Sequence, residues 1–104
     1  MKRPIQWSRA ALDDLKHQLA YIAADNPQAA RRVATCVQAT CATLGHFATG
    51  RPGRVHGTHE KPVANLPYIV AYCITKQANI ETISILRIIH TSRNWPEEDW
   101  PTDS

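Results

Sequence analysis

The chain has 104 residues, 43% of them hydrophobic and 20% charged, which is the balance of one small globular domain. It holds no apolar run of about 18 residues, so a membrane-spanning helix is excluded. The basic opening Met1–Trp7 is followed by no apolar stretch of the secretory kind, so a cytoplasmic protein is expected.

The formal net charge of +3 is unevenly distributed. Residues 97–104 carry Glu97, Glu98, Asp99 and Asp103 and no base, which leaves five acids against twelve Lys and Arg, a net of +7, in residues 1–96. A body this basic favours an anionic partner, either nucleic acid or an acidic protein. The acidic tail, with Trp100 and Pro101, is open to two readings: a solvated end, or a segment that lies back over the basic body. The expected organisation is a single domain over residues 1–96 and a tail over 97–104. Cys36, Cys41 and Cys73 are odd in number and form no CxxC pair, so they read as small buried hydrophobes of a reducing compartment. Their spacing to His56 and His59 does not suit zinc, and no metal or cofactor is expected.

Pro4–Trp7 reads as a short strand. Ser8 is placed to cap a helix, with Asp13 and Asp14 early in it, where negative charge suits the helix dipole. Leu12, Leu15, Leu19 and Ile22 recur at helical spacing. Asp25-Asn26-Pro27 ends that helix and opens another, because Asn26 is a good N-cap and Pro27 suits the first helical position. The second stripe is Ala30, Val33, Val37, Cys41, Leu44 and Phe47, and so short a break between two stripes predicts an antiparallel helical hairpin. Residues 48–54 form a Gly/Pro loop carrying Arg51 and Arg54.

Three strands follow, at about residues 57–64, 68–74 and 80–89, joined by turns at Asn65-Leu66-Pro67 and at residues 76–79. Turns this short predict an antiparallel meander. The fold class is therefore α+β, ordered β-α-α-β-β-β, with an antiparallel sheet covered on one face by the helical hairpin. The last strand is the most informative segment. It runs from apolar residues into Arg87, His90, Arg93 and Trp95 before Pro96 ends it, so two guanidiniums and an imidazole gather where phosphate or carboxylate can be held and a proton moved. The bland alternative is a solvated strand end with Trp95 folded back as a core plug.

These pieces resemble, in order and spacing, the RelE/ParE superfamily of toxins from bacterial type II toxin–antitoxin modules. The resemblance runs from Ile5-Gln6-Trp7-Ser8 through Ala11, Asp14-Leu15, Tyr21-Ile22-Ala23, Asn26-Pro27 and Ala29-Ala30. It continues through residues 50–54, Gly57-Thr58-His59-Glu60, residues 67–72 and residues 85–96. It implies a plasmid-stabilising, growth-inhibitory toxin silenced by a cognate antitoxin. RelE-like members are ribosome-dependent mRNA endoribonucleases, whereas ParE-like members inhibit DNA gyrase and need no hydrolytic site. The Tyr68–Tyr72 strand and the His90-x-x-Arg93-x-Trp95-Pro96 ending are closer to the ParE-like branch.

Metal-free RNA cleavage needs a base, an acid and cations for the phosphate. Under that reading Glu60 or His59 is the base, His90 the acid, and Arg87, Arg93 and Arg54 the phosphate ligands. Glu60 and His59 point to opposite faces of a regular strand, so both cannot serve one site. The middle strand, residues 68–74, adds no charge. Under the binding reading, Arg54, Arg87, Arg93, Trp95 and Tyr72 contact the target. Under the structural reading, Glu60 pairs with Arg87 or Arg54, and Arg87, in phase with Ile83, Ile85 and Ile89, is a partly buried cation needing a carboxylate. A third possibility is a degenerate member that only binds antitoxin.

Overall fold

A computed structural model describes residues 2–92. It contains β1 (Ile5–Trp7), α1 (Arg9–Asp25), α2 (Pro27–His46), β2 (Arg51–Pro52), β3 (His59–Pro62), β4 (Tyr68–Gln77) and β5 (Ile80–His90). The five strands form one sheet in the order β1-β5-β4-β3-β2. Strands β3 to β5 form the expected antiparallel meander, and β2, within the stretch expected to be loop, pairs antiparallel with β3. β1 joins it parallel, with Ile5 opposite Ile83 and Trp7 opposite Ile85, so the sheet is mixed. Parallel pairing is possible here because the whole helical hairpin supplies the crossover. Among the described residues no helix is long and apolar enough to cross a membrane.

The helix starts follow the capping rules. The Ser8 hydroxyl accepts from the Ala11 N–H at the head of α1, and the Asn26 side chain accepts from the Ala29 N–H at the head of α2. Ala11, Leu15, Val33, Val37, Cys41 and Leu44 from the hairpin pack on Val70, Tyr72, Ile83, Ile85 and Ile88. Two expected stripe members fall outside this core. Leu12 is 52% exposed because Ala11 takes the inward position, and Phe47 is 68% exposed because α2 has already ended at His46. Burial pushes the Cys41 thiol up to about 12, as suits an inert core cysteine. Alternation along β4 sends Ile69, Ala71 and Cys73 to the other sheet face, where they cluster with Leu86 and Ile89.

β5 does not alternate regularly. Tyr72 lies opposite Ile85 while Ala71 lies opposite Arg87, so Leu86 is an extra residue, a β-bulge. The bulge resets the phase. Ile88, and not Ile89 as regular alternation required, joins Ile83 and Ile85 against the helices. The β4–β5 turn is also tighter than expected, with only Ala78 and Asn79 between paired Gln77 and Ile80. Their φ values of 52° and 65° are the left-handed pair that a two-residue hairpin requires.

Candidate functional site

Beyond Ile85, β1 no longer covers the outer edge of β5, and the start of α1 takes over. The Ser8 N–H donates to the Ile85 carbonyl and its hydroxyl to the Leu86 carbonyl. The Ile88 N–H donates to Asp14 Oδ2 at 3.0 Å. Side chains thus satisfy backbone groups that a missing strand would leave open. Asp14 also takes Arg87 as a fork. Nε donates to Oδ2 and Nη2 to Oδ1, each at 2.7 Å, with the two side chains only 12% and 8% exposed. The carboxylate holding Arg87 is therefore Asp14 and not Glu60. Asp14 sits in the second turn of α1, past the reach of the helix dipole, and its charge is used on β5 instead.

Glu60 occupies a different place. On β3 it stands opposite Ala71, which puts it on the sheet face away from the helices. It is 3% exposed, and the Gly/Pro loop wraps around it. The Arg54 N–H donates to Oε2 at 2.9 Å, Arg54 Nε to the same oxygen at 2.8 Å, and Arg54 Nη2 to Oε1 at 3.3 Å. Arg51 Nη2 stands 3.7 Å from Oε1 with a largely exposed side chain. Burial pushes the Glu60 carboxyl up, but the hydrogen bonds and charge of Arg54, helped by the charge of Arg51, outweigh it, so its pKa lies below the ordinary glutamate value. A carboxylate so tied is a weak proton acceptor.

His90 ends β5 on the helix-covered face. It lies opposite Tyr68 and meets that ring edge-on at 5.3 Å. Its Nδ1 accepts from the Ser92 N–H at 3.2 Å and lies 2.7 Å from the Ser92 hydroxyl. The Tyr68 hydroxyl points at Gln18 of α1, 3.5 Å away. Glu60 and His90 thus lie on opposite faces of the sheet, and Arg87 is clamped at its edge. Glu60, Arg87 and His90 therefore do not converge on one place, whereas the alternative base His59 shares the helix-covered face with His90.

His59 turns to the other side of β3 from Glu60 and stacks on Tyr72 at 5.5 Å, its Nδ1 buried and lacking a hydrogen-bond partner. Tyr72 is fully buried and donates its hydroxyl to the Thr49 carbonyl at 2.8 Å, so it offers no surface to a target. Arg54 and Arg51 reach the surface. Arg93, Trp95 and the acidic tail lie outside the described residues. No three His, Cys, Asp or Glu side chains come together as a metal site among the described residues.

Two residues of this arrangement were named in the sequence, but not as site residues. Arg51 sits in the same loop as Arg54, and its signal was simply the doubled arginine. Asp14 had a signal too: it is the one carboxylate on the inward side of α1, three residues after Ala11, and a lone Arg in an apolar strand needs such a partner. The exposed surface also includes Tyr21 on α1 and a groove of about 390 Å³ between the helices, lined by Leu19, Ala23, Pro27, Ala30, Arg31 and Ala34 among others.

Residues 5–95 match the family model of the ParE toxin of the type II toxin–antitoxin system parDE. The chain is 35% identical over 97 residues to the candidate toxin Y4kP of Sinorhizobium fredii, covering 92% of this chain and 96% of the relative. Its fold is similar to that of a chain from the chromosomal ParDE toxin–antitoxin system of P. aeruginosa, with a TM-score of 0.76 and 22% identity, covering 88% of this chain and 98% of that one. The family match over nearly the whole length and the 35% identical relative agree: the chain belongs to the ParE toxin family of type II toxin–antitoxin systems.

Proposed function

We propose that this ParE-family toxin arrests growth by binding and inhibiting DNA gyrase, and that a cognate antitoxin neutralises it. The observation that carries the gyrase reading is the fate of the candidate catalytic groups. Glu60 is spent on Arg54 and Arg51, Arg87 on Asp14, and His90 lies across the sheet from Glu60. A toxin that acts by binding needs no assembled acid and base, whereas an mRNA endoribonuclease does.

Induced expression without antitoxin, with thymidine and methionine incorporation followed together, tests the reading. Early loss of thymidine incorporation, with inhibition of supercoiling by purified gyrase, is expected. Early loss of methionine incorporation instead would establish mRNA cleavage and return His90 and Glu60 to catalytic candidacy. Normal growth with soluble protein present would leave a degenerate, antitoxin-binding member.

The antitoxin reading rests on surface chemistry. The α1–α2 groove is apolar with Arg31 at its rim, on a body carrying +7 over residues 1–96. An acidic amphipathic helix that folds on binding fits such a surface. Co-expression with the neighbouring gene's product is expected to slow hydrogen exchange in α1 and α2. Unchanged exchange in a purified complex would refute this placement.

A further inference from the structure

The end of the sheet at the β4–β5 turn gathers more positive charge than its acid balances. Arg3, just before β1, donates from Nε to Glu81 Oε1 at 2.8 Å. That bond uses one corner of the guanidinium, and the two Nη groups have no hydrogen-bond partner among the described residues. Lys76 stands opposite Glu81 on β4, and the stem of Lys2 lies beside Gly45 at the end of α2. Both lysines are exposed, and neither has an ion pair among the described residues. Lys2, Arg3, Lys76 and Glu81 line one pocket of about 440 Å³, together with Asn79 and Ile80. Three cations against one carboxylate leave a local charge of +2, and that carboxylate is already engaged.

The same pocket lies at the root of a projecting ribbon. β3 pairs with β4 only as far as Tyr72, and β1 pairs with β5 only from Ile83. β4 and β5 stay paired beyond both, out to Gln77 and Ile80. The ribbon thus overhangs its flanking strands by five residues on β4, roughly 17 Å. Thr75, Lys76, Gln77, Asn79 and Thr82 give it a polar character.

We propose that this pocket holds a backbone phosphate of duplex DNA, with the β4–β5 ribbon lying in the adjacent major groove. The free Nη edge of Arg3 suits two phosphate oxygens at once, and the two lysines add point charges from either side. Ile80, 57% exposed, gives the neighbouring sugar an apolar wall. The major groove of B-DNA, about 12 Å wide, admits a two-stranded ribbon, whereas that of an RNA duplex is too narrow. The inference concerns DNA alone and stands whether or not gyrase is the target.

Anisotropy of a fluorescein-labelled 20-base-pair duplex, titrated with the purified full-length chain at stepped salt concentrations and without gyrase, tests it. The wild type is expected to bind with a Kd of about 10 μM or tighter at 50 mM salt. Lys2→Gln/Lys76→Gln is expected to lose affinity about tenfold or more and to flatten the plot of log K against log salt by about 2. Arg9→Gln/Lys16→Gln removes the same charge from exposed positions of α1 and is expected to change affinity less than about threefold. Lys2→Arg/Lys76→Arg should keep wild-type binding. Should the glutamine variant fail to fold, amide shifts of the labelled wild type decide, with the largest changes on adding duplex expected at Arg3, Lys76, Asn79 and Glu81. Equal losses in the two glutamine variants would overturn the proposal, because they would show attraction to the whole basic body. So would tighter binding of single-stranded RNA of the same length, or displacement of the duplex by inorganic phosphate or polyglutamate at equal charge concentration. Shifts confined to α1 and α2, or no binding at 50 mM salt, would overturn it as well.

Discussion

Removing Asp14 tests whether Arg87 belongs to the scaffold or to a reactive site. Its carboxylate receives three donors, two from the Arg87 guanidinium at 2.7 Å and one from the Ile88 N–H at 3.0 Å. Asp14→Ala removes the carboxylate from a nearly buried guanidinium and leaves an edge N–H without its acceptor. Loss of one partner from a buried pair costs about 3–5 kcal/mol. An unmade backbone bond costs about 1–3 kcal/mol. The two overlap, because a relaxing Arg87 lets water reach the edge, so about 4 kcal/mol is expected. For a domain of this size that is a fall in Tm of roughly 15–30 °C. Arg87→Met keeps the Ile88 bond and should cost less, about 2–3 kcal/mol. The double variant Asp14→Ala/Arg87→Met removes both charges and should cost less than the sum of the singles by more than about 1 kcal/mol. Urea unfolding followed by circular dichroism measures each value, with an unchanged m confirming comparable end states. Growth arrest by Arg87→Met, induced well below its Tm, should equal wild type once corrected for folded protein. The reasoning fails if Asp14→Ala unfolds within about 1 kcal/mol of wild type, or if the single losses simply add. It also fails if a fully folded Arg87→Met chain has lost toxicity.

Three other outcomes are expected. Glu60 has a folded pKa below the ordinary value of 4.5, so its contribution to stability is present above that value and lost as pH falls through the folded one. The Tm gap between wild type and Glu60→Gln should therefore be widest near neutral pH and close under acid, and a constant gap would contradict the ion-paired assignment. Ala78→Gly relieves a left-handed φ of 52° in the β4–β5 turn and should raise stability by about 0.5–1 kcal/mol after glycine's own entropy cost, read by thermal unfolding. Gly45→Ala should cost about 1–3 kcal/mol in the same assay, because the added Cβ would meet the Arg3 carbonyl at 2.8 Å, where the Arg3 N–H already bonds the Gly45 carbonyl.

Much of the fold was legible because short-range chemistry dictates it. Ser8 and Asn26-Pro27 bound the helices, the α2 stripe from Ala30 to Leu44 matches the buried face, and the meander follows from turns too short for anything else. What was not legible depends on pairing between distant segments. No periodicity in Ile83–Ile89 announces a bulge at Leu86, which arises where β5 leaves β1 and meets the head of α1. The parallel β1 is equally silent, since three residues carry no sign of direction.

The charged groups show the same division more sharply. An arginine in an apolar strand and a glutamate on its neighbour announce that each must be compensated, and ligand, metal or fellow side chain are equivalent answers from the sequence alone. The answers here lie at very different separations. Arg54 is six residues from Glu60, so a single tight loop can bring it there. Asp14 is 73 residues from Arg87, and only the packing of α1 on β5 joins them. The strand exit that looked reactive is thus tied to the scaffold at Arg87, while Arg51 and Arg54 display charge on the far face beside the deeply buried cluster. If the toxin acts by binding, its specificity has to come from exposed groups of that kind. Substitutions there should change affinity for a partner with little loss of stability, whereas substitutions at Asp14 and Arg87 should change stability first.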